Sequence, residues 1–175
     1  RYRLEENVPL VVHPVNAETL SPEESLVANP NCTTAIMVTA LAPLHRQYGI
    51  ESIGVTSFQS VSGSGTGGER ALQIETAQSL ADNPVVPEYY PVPIAFNVIP
   101  EVGGPSSVPG ETGEEYKVLH ESRKVLDRDE LAVEATCVRV PVFRGHSLDV
   151  RITTSAPVDR WELERLLQAD QAISY

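Results

Sequence analysis

Cysteine is scarce in this sequence: Cys32 and Cys137 are the only two among 175 residues. A small scaffold stapled by disulfides needs more of them at regular spacing, so that class is excluded. The same two cysteines and the four histidines, His13, His45, His120 and His146, show no metal-ligand spacing, and no metal is expected. Positive charge is also in short supply. Lysine and arginine number 13 against 24 aspartates and glutamates, a formal net charge of -11. That argues against a nucleic-acid binder and against an anionic-membrane binder, since both need a basic footprint. Any anionic ligand must therefore meet a local cluster of basic residues. No apolar stretch approaches the roughly 18 residues of a membrane helix, and no secretory signal is evident. A reducing compartment follows from these absences, with the cytoplasm as the expected location. An initiator methionine is missing as well. Arg1-Tyr2-Arg3 leads directly into Val8-Pro9-Leu10-Val11-Val12, so the expectation is one domain, residues 1–175, cut from a longer protein.

What is present begins with Asn29-Pro30-Asn31-Cys32-Thr33-Thr34. It sets a cysteine at the mouth of a helix predicted over Thr33 to Tyr48, an apolar run closed by Gly49. Unpaired N–H groups and the positive end of the helix dipole favour a thiolate there, which is how a thiol becomes a nucleophile. A strand is predicted from Ile53 to Val61, with Ile53, Val55 and Ser57 on one face. It runs into Ser62-Gly63-Ser64-Gly65-Thr66-Gly67-Gly68, before a helix from about Glu69 to Leu80. Gly63, Gly65 and Gly68 match the dinucleotide fingerprint in letter. A Rossmann unit, however, would continue into a second parallel strand, and here Pro84, Pro87, Pro91 and Pro93 follow instead. The glycine run is read as a loop lining a pocket.

Ile94 to Pro100 is a short strand candidate, and a helix is predicted from Glu114 to about Leu126. Val118, Leu119, Ser122, Val125 and Leu126 form its apolar face, while Glu114, Lys117, Glu121 and Lys124 share the opposite one, where charge pairs would face solvent. Leu131 to Val142 alternates as a strand with Val133, Ala135, Cys137 and Arg139 on one side. Cys137 reads as a packing residue. An arginine on an apolar face calls for a carboxylate or phosphate partner. Leu148, Val150 and Ile152 mark another strand after the turn Phe143-Arg144-Gly145-His146; pairing of these two strands would bring Arg139 close to His146. A last helix, opened by Asp159 and Glu162 as a capping box, is expected to bury Trp161, Leu163, Leu166 and Leu167. Strands with helices between them but no regular βαβ cadence give an α+β class: a mixed, largely antiparallel sheet with helices on one face. Cys32, His146 and Arg139 supply a nucleophile, a base and an anion clamp, a set suited to acyl-thioester chemistry on a carboxylate-bearing substrate.

Five blocks in one order carry a more specific likeness: Asn29 to Thr34, Ser57-Phe58-Gln59-Ser60-Val61-Ser62-Gly63, Ile94 to Pro100, Gly113-Glu114-Glu115-Tyr116-Lys117, and Arg139-Val140-Pro141-Val142 with Gly145-His146-Ser147. In these the sequence resembles the aspartate-β-semialdehyde dehydrogenase family. The resemblance implies that family's catalytic and dimerisation domain, with a fold like the C-terminal domain of glyceraldehyde-3-phosphate dehydrogenase. It implies NADP-dependent reduction of L-aspartyl 4-phosphate to L-aspartate 4-semialdehyde, on the route to lysine, threonine, methionine and diaminopimelate. Cys32 would be the acyl-thioester nucleophile, its helix terminus also offering N–H donors to an oxyanion, and His146 the general acid/base. Gln59 would orient the substrate, Arg139 would grip its α-carboxylate, and Glu114 would face its ammonium. Lys117 with Asn31 would hold the phosphate, and Ser62 and Gly63 would touch the nicotinamide side of NADP. The cofactor itself would be bound mainly by an N-terminal domain absent from these residues, as is the family's C-terminal helix. The fragment alone is therefore expected to be inactive, and a homodimer is the expected assembly.

Cys32-Thr33-Thr34 and Leu41-Ala42-Pro43-Leu44 also resemble phosphorylating glyceraldehyde-3-phosphate dehydrogenases, but Gln59 stands where that family is expected to carry its histidine. An N-acetyl-glutamyl-phosphate reductase shares the architecture; Arg139 with Glu114 better suits a free amino acid. The non-enzymatic alternative is a dimerisation module, which the presence of both Cys32 and His146 disfavours.

Overall fold

The computed structural model describes residues 2–175. In chain order its elements are α1 (His13–Asn16), α2 (Cys32–Tyr48), β1 (Ile50–Gln59), α3 (Gly65–Leu80), α4 (Gly113–Val125), β2 (Ala132–Arg139), β3 (Ser147–Thr154) and α5 (Arg160–Ala169). The strands form a three-stranded sheet in the order β2-β1-β3. The sheet is mixed. Val140 N–H bonds the Gln59 carbonyl and Val61 N–H bonds the Val142 carbonyl, a register that rises in both strands; Ser155 N–H bonds the Gly49 carbonyl at the antiparallel end of β1. No helix among the described residues is long and apolar enough to cross a membrane.

The chain divides into two compact units. The first comprises Arg1–Val55, Tyr116–Ala135 and Val150–Tyr175, and the second Thr56–Glu115 and Thr136–Asp149. In the first unit α2 supplies Met37, Val38, Leu41 and Leu44 to a core that includes Ile50, Ile53, Val118, Val125 and Leu131, all buried. Such a side chain contributes roughly 1.5–3 kcal/mol when fully removed from water. The helix starts where it does because Asn31 caps it, and it stops at Gly49, whose φ of 67° suits glycine. In the second unit Val61, Leu72, Ile94 and Ile99 form a small core with Ala71 and Tyr90 against it.

Several expectations meet corrections here. The glycine run is not a loop: Val61–Ser64 is a 3-10 turn and α3 begins at Gly65. Glycine is required within that helix by close approach, since a Cβ on Gly68 would lie 2.7 Å from the Val61 carbonyl oxygen and 2.5 Å from the Tyr90 hydroxyl. Ile94 to Pro100 is a turn, with Phe96 at φ 57°, and only Ile99 pairs, through an isolated antiparallel bridge to Arg139. β2 and β3 are not neighbours; β1 lies between them. The strand predicted from Ile53 spans Ile50–Gln59 instead. The charged face of α4 is not solvated either: Glu114 and Glu121 are buried, and Lys124 Nζ donates to the Glu5 and Val8 carbonyls at 2.6 and 2.8 Å. Finally, α5 buries none of its residues, and Trp161 is 67% exposed. Its cap is as expected, with Asp159 Oδ1 accepting from Glu162 N–H at 2.9 Å.

Candidate active site

Two groups of candidate residues stand out, one in each compact unit. In the first unit, Cys32 is the first residue of α2 and is exposed. It does not move freely there, because the residue before it is fixed twice. Asn31 is buried, and its Oδ1 accepts from Thr33 N–H at 2.7 Å and from Thr34 N–H at 3.2 Å. Its own backbone N–H donates to Glu121 Oε2 on α4. The first-turn amides of Thr33 and Thr34 are thus taken up by capping. Lys117 lies one turn before Glu121 on α4, half-buried. Burial pushes the Glu121 carboxyl up from its ordinary value, opposed by the Asn31 N–H bond and by Arg3, Thr34 and Lys117.

The second unit gathers more of the predicted residues around one that carried no predicted role, Ser60. Its backbone N–H donates to His146 Nδ1 at 3.1 Å, and its Oγ lies 3.0 Å from the same nitrogen. Its carbonyl accepts from Arg139 Nη1 at 2.8 Å, and its Oγ is also 3.0 Å from Ser62 Oγ. One residue at the end of β1 therefore holds both His146 and Arg139. The carbonyl is a neutral acceptor, so the buried guanidinium is positioned without its charge being cancelled by this bond. Ser60 also accommodates either neutral tautomer of His146: the N–H bonds an unprotonated Nδ1, and the Oγ can accept from a protonated one, leaving Nε2 as a base.

Burial lowers the His146 pKa from its ordinary value, and the nearby Arg139 charge lowers it further, while Glu114 acts the other way. Glu114 is itself buried at 5% exposure in the first turn of α4, which a Thr112–Glu115 capping box starts: Thr112 N–H donates to Glu115 Oε2 at 2.9 Å, and Glu115 N–H to Thr112 Oγ1 at 3.3 Å. Gln59, 1% exposed, donates from Nε2 to Glu114 Oε1 at 3.1 Å. Gly63 completes the group. A Cβ there would lie 3.0 Å from Arg139 Nη1, 3.2 Å from His146 Cε1 and 3.3 Å from His146 Nε2, so a side chain there would crowd both groups.

Arg139 and His146 are near neighbours, as expected, but the cause is different. They meet through Ser60 and Gly63, not through pairing of β2 with β3. Sequence reasoning missed Ser60 because it works largely through its backbone, which has no signature in the sequence. It missed the part played by Glu121 by assigning that helix face to solvent; the signal was its place on the face that also carries Glu114 and Lys117. Cys137 is fully buried, and its backbone N–H donates to Glu115 Oε1 at 3.0 Å, in keeping with a packing residue.

The family model described as semialdehyde dehydrogenase, dimerisation domain, matches residues 41–173. Aspartate-semialdehyde dehydrogenase 2 of Vibrio cholerae is 38% identical over 174 residues, which is 98% of this chain and 51% of that protein. The aspartate-semialdehyde dehydrogenase of Mycolicibacterium smegmatis is 39% identical over 184 aligned positions, covering 96% of this chain and 53% of the relative. Among solved structures, aspartate semialdehyde dehydrogenase II of Vibrio cholerae complexed with ASA superposes with a TM-score of 0.93 at 38% identity, over 97% of this chain and 51% of that one. The chain spans about half the length of the curated relatives it matches.

Proposed function

Because this chain belongs to the semialdehyde dehydrogenase dimerisation-domain family, we propose that it is the catalytic and dimerisation part of an aspartate-semialdehyde dehydrogenase. The reaction is the NADP-dependent reductive dephosphorylation of L-aspartyl 4-phosphate to L-aspartate 4-semialdehyde, a step of lysine, threonine, methionine and diaminopimelate biosynthesis. The observation that carries this reading is the convergence of His146 and Arg139 on Ser60, with the buried Gln59–Glu114 pair in the same unit. A base and a fixed guanidinium beside a carboxylate match a substrate that presents an α-carboxylate and an ammonium.

In this reading the Cys32 thiolate attacks the acyl carbonyl, the C–O bond to phosphate breaks, and phosphate leaves into the charge of Lys117 with Asn31 beside it. Arg139 holds the α-carboxylate through guanidinium donors other than the one given to Ser60, Glu114 faces the ammonium, and Gln59 orients the chain between them. The reduced cofactor, NADPH, would supply the hydride when bound. Gly63 fits a flat ring laid beside His146, since it is exposed and a Cβ there would crowd the imidazole, and Ser62 adds a hydroxyl next to it. Residues outside this chain hold most of the cofactor. His146 gives a proton from Nε2 to the oxygen of the reduced thioester and takes it back as the carbon–sulfur bond breaks and the aldehyde leaves. The base form needed for that return is the tautomer with Nδ1–H toward Ser60 Oγ.

The protein works as a homodimer. Large apolar side chains of the second unit, among them Leu80 at 74%, Val86 at 69% and Phe96 at 67% exposure, are available to be covered by a second copy. The test is a spectrophotometric assay of the intact gene product with aspartate semialdehyde, phosphate and NADP. Phosphate-dependent NADPH formation that Cys32→Ala abolishes is the expected result, and full activity in that variant refutes it. Residues 1–175 alone are expected to show no turnover.

A further inference from the structure

Glu121 is fully buried, and its side chain bonds the main chain at the start of α2 from 90 residues away. Burying a carboxylate is costly, and an apolar residue of similar volume is often neutral or better for stability at such a position. Burial also pushes its carboxyl up from the ordinary value, so the site does not favour the charge. The contacts say what the carboxylate is for. Asn31 is the N-cap of α2, and its backbone N–H lies outside the helical hydrogen-bond ladder; Glu121 Oε2 accepts from it across 90 residues of chain. The Asn31 side chain is spent on Thr33 and Thr34. Cys32 thus sits between two anchored neighbours, and the chain of anchors ends at Glu121. Arg3 Nη1, 3.5 Å from Oε1, is the guanidinium paired with the same carboxylate.

We propose that Glu121 is a positioning residue for the nucleophile: by holding the Asn31 main chain it fixes the first turn of α2, and with it the place of the Cys32 thiol. The proposal rests on the reading of Cys32 as the nucleophile. Its consequence is specific. What matters in Glu121 is an acceptor oxygen at the reach of a glutamate-length side chain, not its negative charge.

Three substitutions separate those properties in the intact gene product. Glu121→Gln keeps the acceptor and the reach but removes the charge; Glu121→Asp keeps the charge and shortens the reach; Glu121→Met keeps the volume and has no comparable acceptor. For Glu121→Gln, kcat is expected to stay within about threefold of the unsubstituted protein. For Glu121→Asp and Glu121→Met it falls by about tenfold or more, while KM for the aldehyde and for NADP changes by less than about twofold, because a misplaced thiol slows the chemical step and not binding. The rate of Cys32 alkylation by iodoacetamide, read by peptide mass mapping against Cys137, follows the same order. If Glu121→Asp does not fold, the Gln and Met pair carries the comparison. A ladder in which Asp matches or exceeds Gln shows that charge is what acts, and overturns the proposal; so does a flat ladder. A Cys32→Ser control distinguishes the two levels. If that variant is inactive and the ladder is flat, only the positioning proposal fails; if it remains active, the nucleophile reading fails and the proposal with it.

Discussion

The cysteine group and the histidine group are built in opposite ways. Cys32 stands at a helix start whose cap is written within a few residues, Asn31 to Thr34, and one distant side chain, Glu121, steadies it. His146 depends on residues scattered along the chain, 59–63, 114 and 139, that converge on one serine. The first arrangement places an exposed thiol by local backbone geometry. The second places a half-buried imidazole and a buried cation by long-range contacts, and through them shifts the imidazole's pKa. The thiol is presented by a local cap steadied by one distant acceptor, whereas the titration of His146 is set by charges and acceptors from several parts of the chain.

Substitutions can break this contrast, and the largest effect belongs to the thiol itself. Cys32→Ser in the intact gene product should lower kcat by at least about a thousandfold, because the proposed reaction runs its covalent step through that thiol; steady-state assay checks it. On the other side, Arg139→Lys should raise KM for the aldehyde by roughly 10- to 100-fold with a smaller change in kcat. A point charge cannot hold both the Ser60 carbonyl and a carboxylate as the guanidinium fork does. A kcat loss without a KM change would mean that Arg139 does not bind substrate. Gly63→Ala is gentler. Its methyl would sit 3.2 Å from His146 Cε1 and 3.0 Å from Arg139 Nη1, so neighbours must give by a few tenths of an ångström. About a tenfold fall in activity is expected, with the Cys32 alkylation rate unchanged.

The smallest effects are in stability against pH, and they should have opposite sign in the two groups. The His146 pKa is lowered from 6.5 in the folded protein, so the unfolded chain takes up the proton first, and stability is lost as pH falls through that value. The Glu121 pKa is raised from 4.5, so the folded protein holds its proton longer, and stability is lost as pH rises from there. Denaturant melts of His146→Gln and Glu121→Gln across pH should show each variant flattening its own slope. A His146→Gln protein as acid-sensitive as the unsubstituted one would remove the account of how that base is held.

The same contrast decides what could be read in the sequence. α2 was legible from end to end, since Asn31 and Gly49 are local signals for its start and stop. Alternation correctly put Cys137 and Arg139 on the buried side of β2. Periodicity failed where the answer depended on which distant segment covers a face. It gave the two faces of α4 but not that Glu114 and Glu121 on the charged one are buried, and it gave an apolar stripe on α5 that leaves Trp161 exposed. Strand order failed for the same reason: nothing local to Leu148 or Val133 says that β1 lies between their strands. The glycine run misled because its conformation is set by packing, with Gly67 and Gly68 pressed against Tyr89 and Tyr90. Ser60 illustrates the limit, since most of what it does is done by an N–H and a carbonyl that any residue but proline would bring.

The central claim is that Cys32 carries the acyl group. The direct test is to mix the intact gene product with aspartyl phosphate in the absence of NADPH, quench in acid, and map the peptides by mass spectrometry. An aspartyl group on the Cys32 peptide, released by hydroxylamine and absent from the Cys137 peptide, is the predicted result. Phosphate release without any adduct, or an adduct on another residue, would contradict it.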